Sequence, residues 1–178
     1  LDNAGVVDAT SGGAAVRVDG AIANSGTIHA TSSLGIADRS GGAAEAFGNS
    51  GKLLSDGSLS LAADSVRNES AGWIQAAGGS RVDAGAFDNA GTWLLSTQGG
   101  AAPSQVNVAG LLANRGTLQA LGDASFSASR IDNQAGALLR TGGRLQANVS
   151  AADGLGNAGT MQAGSTLGVS GTGSTLAN

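Results

Sequence analysis

The chain is 178 residues long, with 31 glycines, 3% aromatic and 12% charged side chains, no cysteine and a formal net charge of −4. Its nine Lys and Arg are scattered singly, which argues against nucleic acid or an anionic membrane surface as partner, and no apolar run is long enough to span a bilayer. An apolar fraction of 41% is too high for a disordered chain, so these residues are expected to fold.

The absence of cysteine fits a cytosolic protein, and equally a secreted one that must cross a membrane unfolded. No charged-then-apolar leader opens the sequence, and Leu1 already sits inside a repeat. Residues 1–178 are therefore read as one segment of a longer repeat protein.

Asparagine recurs at Asn3, Asn24, Asn49, Asn68, Asn89, Asn114, Asn133, Asn157 and Asn178, at intervals of 21, 25, 19, 21, 25, 19, 24 and 21 residues. A bulky apolar residue stands two places before each, from Leu1 and Ile22 to Leu155 and Leu176. Periods of this length mark a solenoid, one turn per repeat. Asn3 is followed by Gly5, Val7 and Ala9; Asn24 by Gly26, Ile28 and Ala30; Asn49 by Gly51, Leu53 and Ser55. After Asn68 a short insert delays Gly72, Ile74 and Ala76, and after Asn89 come Gly91, Trp93 and Leu95. Asn114 leads to Gly116, Leu118 and Ala120; Asn133, after another insert, to Gly136, Leu138 and Arg140; Asn157 to Gly159, Met161 and Ala163. The Asn-x-Gly pair reads as turn chemistry, because both residues tolerate a left-handed backbone. The residues beyond it alternate apolar and polar with period two, as a half-buried strand does.

A second short strand precedes the next Asn in most repeats, at 16–18, 59–61, 82–84, 106–108, 126–128 and 167–169. Strand pairs repeated every ~22 residues without helices bury their inward faces only by winding into a coil and stacking coil on coil at ~4.8 Å. The predicted fold is an all-β parallel β-helix of about eight coils, 19–25 residues each, forming a rod roughly 40 Å long. Small residues at Ala9, Ala30, Ser55, Ala76, Ala120 and Ala163 suit a narrow interior, with Leu95 and Arg140 as exceptions. The longer turns are expected to project loops at Thr31 to Ala44 and Thr97 to Gln105, the latter with Pro103, and a third from Asn148 to Gly154, all on one side of the rod.

Identical Asn side chains one coil apart are close enough for each amide to donate to the next one's carbonyl, so nine in register favour a ladder along the rod. The other reading is that Asn serves only its turn preference. Leucine-rich, hexapeptide and calcium-binding nonapeptide repeats fail on the position of the apolar residues, the irregular interval and the dispersed Asp, respectively.

The phrases Ile22-Ala-Asn-Ser-Gly-Thr-Ile28-His-Ala, Phe87-Asp-Asn-Ala-Gly-Thr-Trp93, Leu112-Ala-Asn-Arg-Gly-Thr-Leu118-Gln-Ala and Leu155-Gly-Asn-Ala-Gly-Thr-Met161-Gln-Ala resemble the haemagglutinin repeats of filamentous haemagglutinin, and the likeness extends over the whole chain. Similar repeats build the stalks of contact-dependent inhibition exoproteins. The resemblance implies a right-handed β-helix, export by two-partner secretion through an outer-membrane β-barrel transporter, and a secreted or bacterial cell-surface location. It further implies a role as structural rod or stalk of an adhesin, in attachment or in holding out a distal domain.

Catalysis finds few candidates. His29 is the only histidine and its place in the alternation is outward; Asp8, Asp19, Asp38, Asp56 and Asp64 fall at different repeat positions and are not expected to stack. Metal and cofactor sites are expected to be absent, and a polysaccharide-cleaving β-helix enzyme is the remote alternative. Trp73 occupies a place held elsewhere by Thr or Lys, so it either faces outward as a contact for a host or target-cell receptor or glycan, or is buried by a register shift after the insert before Gly72. Trp93 is expected inside. Arg140, at an inward place, implies an irregular turn or a bent strand. Unpaired strand edges at the two ends predict end-to-end self-association.

Overall fold

The computed structural model describes residues 1–152, 154–171 and 176–177, and all regular elements among them are strands. Paired strands run parallel and come from successive coils, which makes the architecture a parallel β-solenoid. An eight-stranded narrow sheet contributes one strand per coil: Val6–Ala9, Thr27–Ala30, Lys52–Ser55, Trp73–Ala76, Thr92–Ser96, Thr117–Ala120, Leu138–Thr141 and Thr160–Ala163. A thirteen-stranded broad sheet closes each coil and reaches the recurring Asn; its longest members are Leu59–Asn68, Ser80–Asn89, Ser104–Asn114 and Ala124–Asn133. Successive asparagines are in register, Asn49 with Asn68, Asn68 with Asn89 and Asn89 with Asn114.

The period-two alternation becomes the inside and outside of the coil. Ile28, Leu53, Ile74, Trp93 and Leu118 are fully buried in one file, and Ala30, Ala76 and Ala120 line the interior two residues on. Phe47, Phe87 and Phe126 fill the opposite wall, with the Phe87 ring centroid 5.2 Å from that of Trp93 at an interplanar angle of 32°. Each such side chain contributes about 1.5–3 kcal/mol on leaving water, and stacking gives it like neighbours above and below.

Four local expectations are corrected. First, Leu138 and Arg140 are not inward: Leu138 pairs with Thr117 and Arg140 with Gln119, while Leu139 and Thr141 enter the core. The insert after Asn133 ends with buried Ala137, which donates to Gln134 as Gly72 donates to Glu69, so the strand starts one residue later than counting from Gly136 implies. Arg140 therefore stands on an ordinary strand, exposed. Second, Leu95 does not hold the small inward place. The register slips between Leu94 and Ser96, so Ser96 pairs with Ala120 and buried Leu95 forms a bulge. The bulged carbonyl of Leu95 accepts the hydroxyls of Ser80 (2.7 Å) and Ser104 (3.2 Å).

Third, the three loops do not share one side. Residues 34–37 form a strand inside the first expected loop, and only 38–43 project, between Leu34–Ala37 and Ala44–Asn49. Residues 150–154 leave the broad sheet at that same corner, with Asp153 outside the described residues. Residues 97–103 leave at a different corner, between the narrow sheet and Ser104–Asn114. A long interval reveals which coil carries extra residues but not at which corner they emerge.

Fourth, of the repeat glycines only Gly136, in the insert after Asn133, takes a left-handed backbone; those two places after an Asn do not. Among the described residues positive φ occurs only at Gly12, Gly41, Gly100 and Gly136, none of them following an Asn by two places. A Cβ on Gly26, Gly51 or Gly116 would instead lie 2.1 Å from the carbonyl oxygen of Gly5, Gly26 or Gly91 in the preceding coil. Those carbonyls accept the amides of Thr27, Lys52 and Thr117 at 2.8, 2.8 and 2.9 Å, and that bond draws the coils together. Gly116→Ala is expected to destabilise the fold by about 3 kcal/mol in urea unfolding, whereas Gly5→Ala, with open space at its Cβ position, is expected to leave the midpoint nearly unchanged.

Candidate functional site

The asparagines form a continuous chain of side-chain hydrogen bonds. Asn3 Nδ2 donates to Asn24 Oδ1 at 2.8 Å, Asn24 to Asn49 at 2.7 Å, Asn49 to Asn68 at 2.9 Å and Asn68 to Asn89 at 2.9 Å. The run continues from Asn89 to Asn114 at 2.9 Å, Asn114 to Asn133 at 2.8 Å and Asn133 to Asn157 at 2.7 Å. Asn178 lies outside the described residues. The second amide proton goes to a backbone carbonyl, of the next coil in Asn24 to Lys52 (3.0 Å) and Asn89 to Thr117 (3.1 Å), and of its own turn in Asn49 to Gly51 (3.1 Å). From Asn49 to Asn133 these side chains are fully buried, so an unpaired amide there has no water to turn to.

On the outer face of the narrow sheet Trp73 is 39% exposed, in register with Lys52 on one side and Thr92 on the other, while Trp93 is fully buried. The insert before Gly72 thus leaves Trp73 outside. Its Nε1 donates to Gln75 Oε1 at 3.2 Å, which orients the indole along the strand. Beside it lies an open groove of about 750 Å³ lined by Thr27, Ser50, Lys52, Leu54 and Gln75 among others. Lys52, the only lysine of the chain, has no carboxylate within ion-pair distance among the described residues. Trp93 keeps its indole N–H in the core without a hydrogen-bond partner.

His29 is brought between two carboxylates that were not expected to meet. Asp8, in register one coil below, accepts from Nδ1 at 2.7 Å, and Asp56, at the end of the next coil's strand, lies 3.2 Å from Nε2. The spread in repeat position is correct, but coil stacking plus one imidazole's length spans it. Asp19 and Asp38 attend the 38–43 loop instead: Asp19 accepts the Arg39 amide at 3.1 Å, and Asp38 accepts the Ser40 hydroxyl at 2.8 Å and the Gly42 amide at 2.6 Å, bonds that lower its pKa. No group of three or more His, Asp or Glu converges as metal ligands among the described residues.

One polar cluster was not anticipated. Asp83, Asn107, Ser127 and Asn148 stack outward in register on the broad sheet, floored by Val108, Ala128 and Val149, in a groove of about 580 Å³. Asn107 Nδ2 donates to Asp83 at 2.9 Å and Asn148 Nδ2 to Ser127 at 3.1 Å. The signal was the middle residue of 82–84, 106–108 and 126–128, polar in each.

Two measurements check this chemistry. Asn89→Ala strips the partner from the buried amide of Asn68 and the buried carbonyl of Asn114, and is expected to cost about 3 kcal/mol of unfolding free energy. An unchanged melting temperature would show the amide chain to be energetically idle. For His29, the hydrogen bond to Asp8 and then that to Asp56 raise its pKa above 6.5 against partial desolvation. The folded chain therefore holds the proton more tightly than the unfolded one. This contribution is complete below pH ~6.5 and disappears as pH rises through the folded value. The melting temperature of the native chain is expected to fall across that window, and His29→Gln to remove that part of the pH dependence.

A profile of the haemagglutinin repeat matches residues 1–43, 21–102, 100–159 and 140–178. Neither the curated proteins nor the solved structures gave a match. The overlapping matches leave no stretch uncovered; the chain belongs to the haemagglutinin repeat family.

Proposed function

We propose that this chain is a rigid rod segment of a filamentous haemagglutinin-type adhesin, exported by two-partner secretion through an outer-membrane β-barrel transporter and carried on the bacterial surface. The observation that carries this reading is the unbroken run of buried amide bonds from Asn3 to Asn157 along the stack. It ties every coil to the next inside the rod and leaves the outer faces free to vary. Each coil contacts chiefly its neighbours, so a chain emerging unfolded from a transporter folds by adding coils to those already formed. With no cysteine, no cross-link obstructs passage. Asp8, Glu69 and Asp83 are engaged with His29, Arg67 and Arg81, respectively, rather than grouped as an acid and base pair, in keeping with a structural repeat.

A second reading rests on Trp73. An exposed indole beside Lys52 and several hydroxyls offers a stacking surface for a sugar ring or an anchor for a surface receptor. Binding of the labelled chain and of Trp73→Ala to target cells and a panel of surface glycans separates the two. A rod is expected to show no saturable binding by either protein, with β-folded circular dichroism spectra for both. Saturable binding by the native chain that weakens about tenfold or more in Trp73→Ala would make this an adhesive segment.

A further inference from the structure

The outer face of the narrow sheet is self-complementary about its fourth coil. Trp73 and Gln75 stand at the centre; Leu54 lies one coil before and Leu94 one coil after, in the same file. Three coils before the centre this face carries Val6 and Asp8, and three coils after it carries Leu138 and Arg140, again file for file. The apolar members are open to solvent or only half-buried: Val6 is 75% exposed and Trp73 39%. Arg140 is exposed and has no carboxylate within ion-pair distance among the described residues. Asp8 keeps 41% of its side chain exposed despite His29.

A two-fold axis lying in this face, parallel to the strands and crossing coil four, reverses the order of coils and keeps the files. Under it Leu54 of one copy meets Leu94 of the second, Val6 meets Leu138, Trp73 lies beside its own copy, and Asp8 stands opposite Arg140. The other in-plane axis, along the rod, exchanges the files instead, setting Arg140 against Leu138 and Trp73 against Gln75. We propose that the narrow sheet is a face through which two copies of this chain pair antiparallel, as an isologous dimer with Trp73 at its two-fold axis.

Seven coils at ~4.8 Å and four residues at ~3.3 Å give roughly 450 Å² per copy, about 900 Å² in total. Contacts of that size are at the low end for specific association, so the dimer is weak and concentration-dependent. Its occupant is a second copy because the match is to the face's own sequence: three apolar pairs and one charge pair coincide in a single register. Backbone pairing plays no part, as the strands of the face bond to one another along the stack and the open edge of Val6–Ala9 lies at the end of the sheet, not on its face.

Sedimentation of the full chain over a wide concentration range, without added ligand, tests this independently of any glycan binding by Trp73. The native chain is expected to show a monomer–dimer equilibrium. Trp73→Glu and Arg140→Asp are each expected to weaken it by about tenfold or more, and Arg140→Asp combined with Asp8→Arg to restore it, with circular dichroism confirming the fold of each. Three results overturn the proposal: a monomer at every concentration, a dimer indifferent to Trp73→Glu, as pairing through the rod ends gives, or a dimer lost in Arg140→Asp and not regained in the double variant.

Discussion

Coil-to-coil backbone hydrogen bonding sets the terms for this protein. Because each coil bonds to the next along most of its length, equivalent residues are held ~4.8 Å apart and every side chain meets its counterpart above and below. Residue types survive at a position according to how they tolerate their own kind at that distance. Amides tolerate it best, since each is both donor and acceptor, and the buried run from Asn3 to Asn157 is the result. Apolar side chains tolerate it by packing. Carboxylates repel, and where Asp8 and Asp56 come to one site, His29 stands between them.

The same spacing explains the glycines. Where the chain turns from the Asn into the narrow sheet, the carbonyl of the previous coil points straight at the position a Cβ would occupy, so Gly26, Gly51 and Gly116 are selected by lack of room rather than by backbone conformation. Interior and corner therefore obey different rules. Inside, each position is confined by two neighbours; at the corners the chain adds residues freely, as at 38–43, 97–103 and 150–154, without disturbing the strands on either side. Extra residues also occur within strands, at Leu95, whose carbonyl two serine hydroxyls satisfy, and between Val108 and Leu111, where Ser104–Asn114 runs one residue longer than the strands on either side.

A rod whose interior geometry repeats from coil to coil while its outer residues vary suits a segment whose outer surface can be specialised locally. The narrow-sheet face shows this: Trp73, Lys52 and Arg140 break a background of Thr and Gln. The broad-sheet face shows it differently, with a file of stacked polar groups from Asp83 to Asn148, bonded as Asp83 with Asn107 and Ser127 with Asn148, over an apolar floor.

The sequence by itself determined the coil. The spaced asparagines, the apolar residue two places before each and the alternation after it are local patterns, and a repeating local pattern has one way to bury its inward side, so strand positions and the inward Ile, Leu and Phe residues were legible. Counting along the chain failed wherever the answer depended on a neighbouring coil. Arg140 faces outward because Ala137, not Gly136, aligns with the coil below; Asp8 reaches Asp56 through an imidazole two coils wide in its contacts; and the corner at which an insert leaves is decided by pairing with the next strand. These are distances between residues some twenty positions apart, which only the stacked structure brings together, and the register of that stacking is a tertiary property that no single repeat contains.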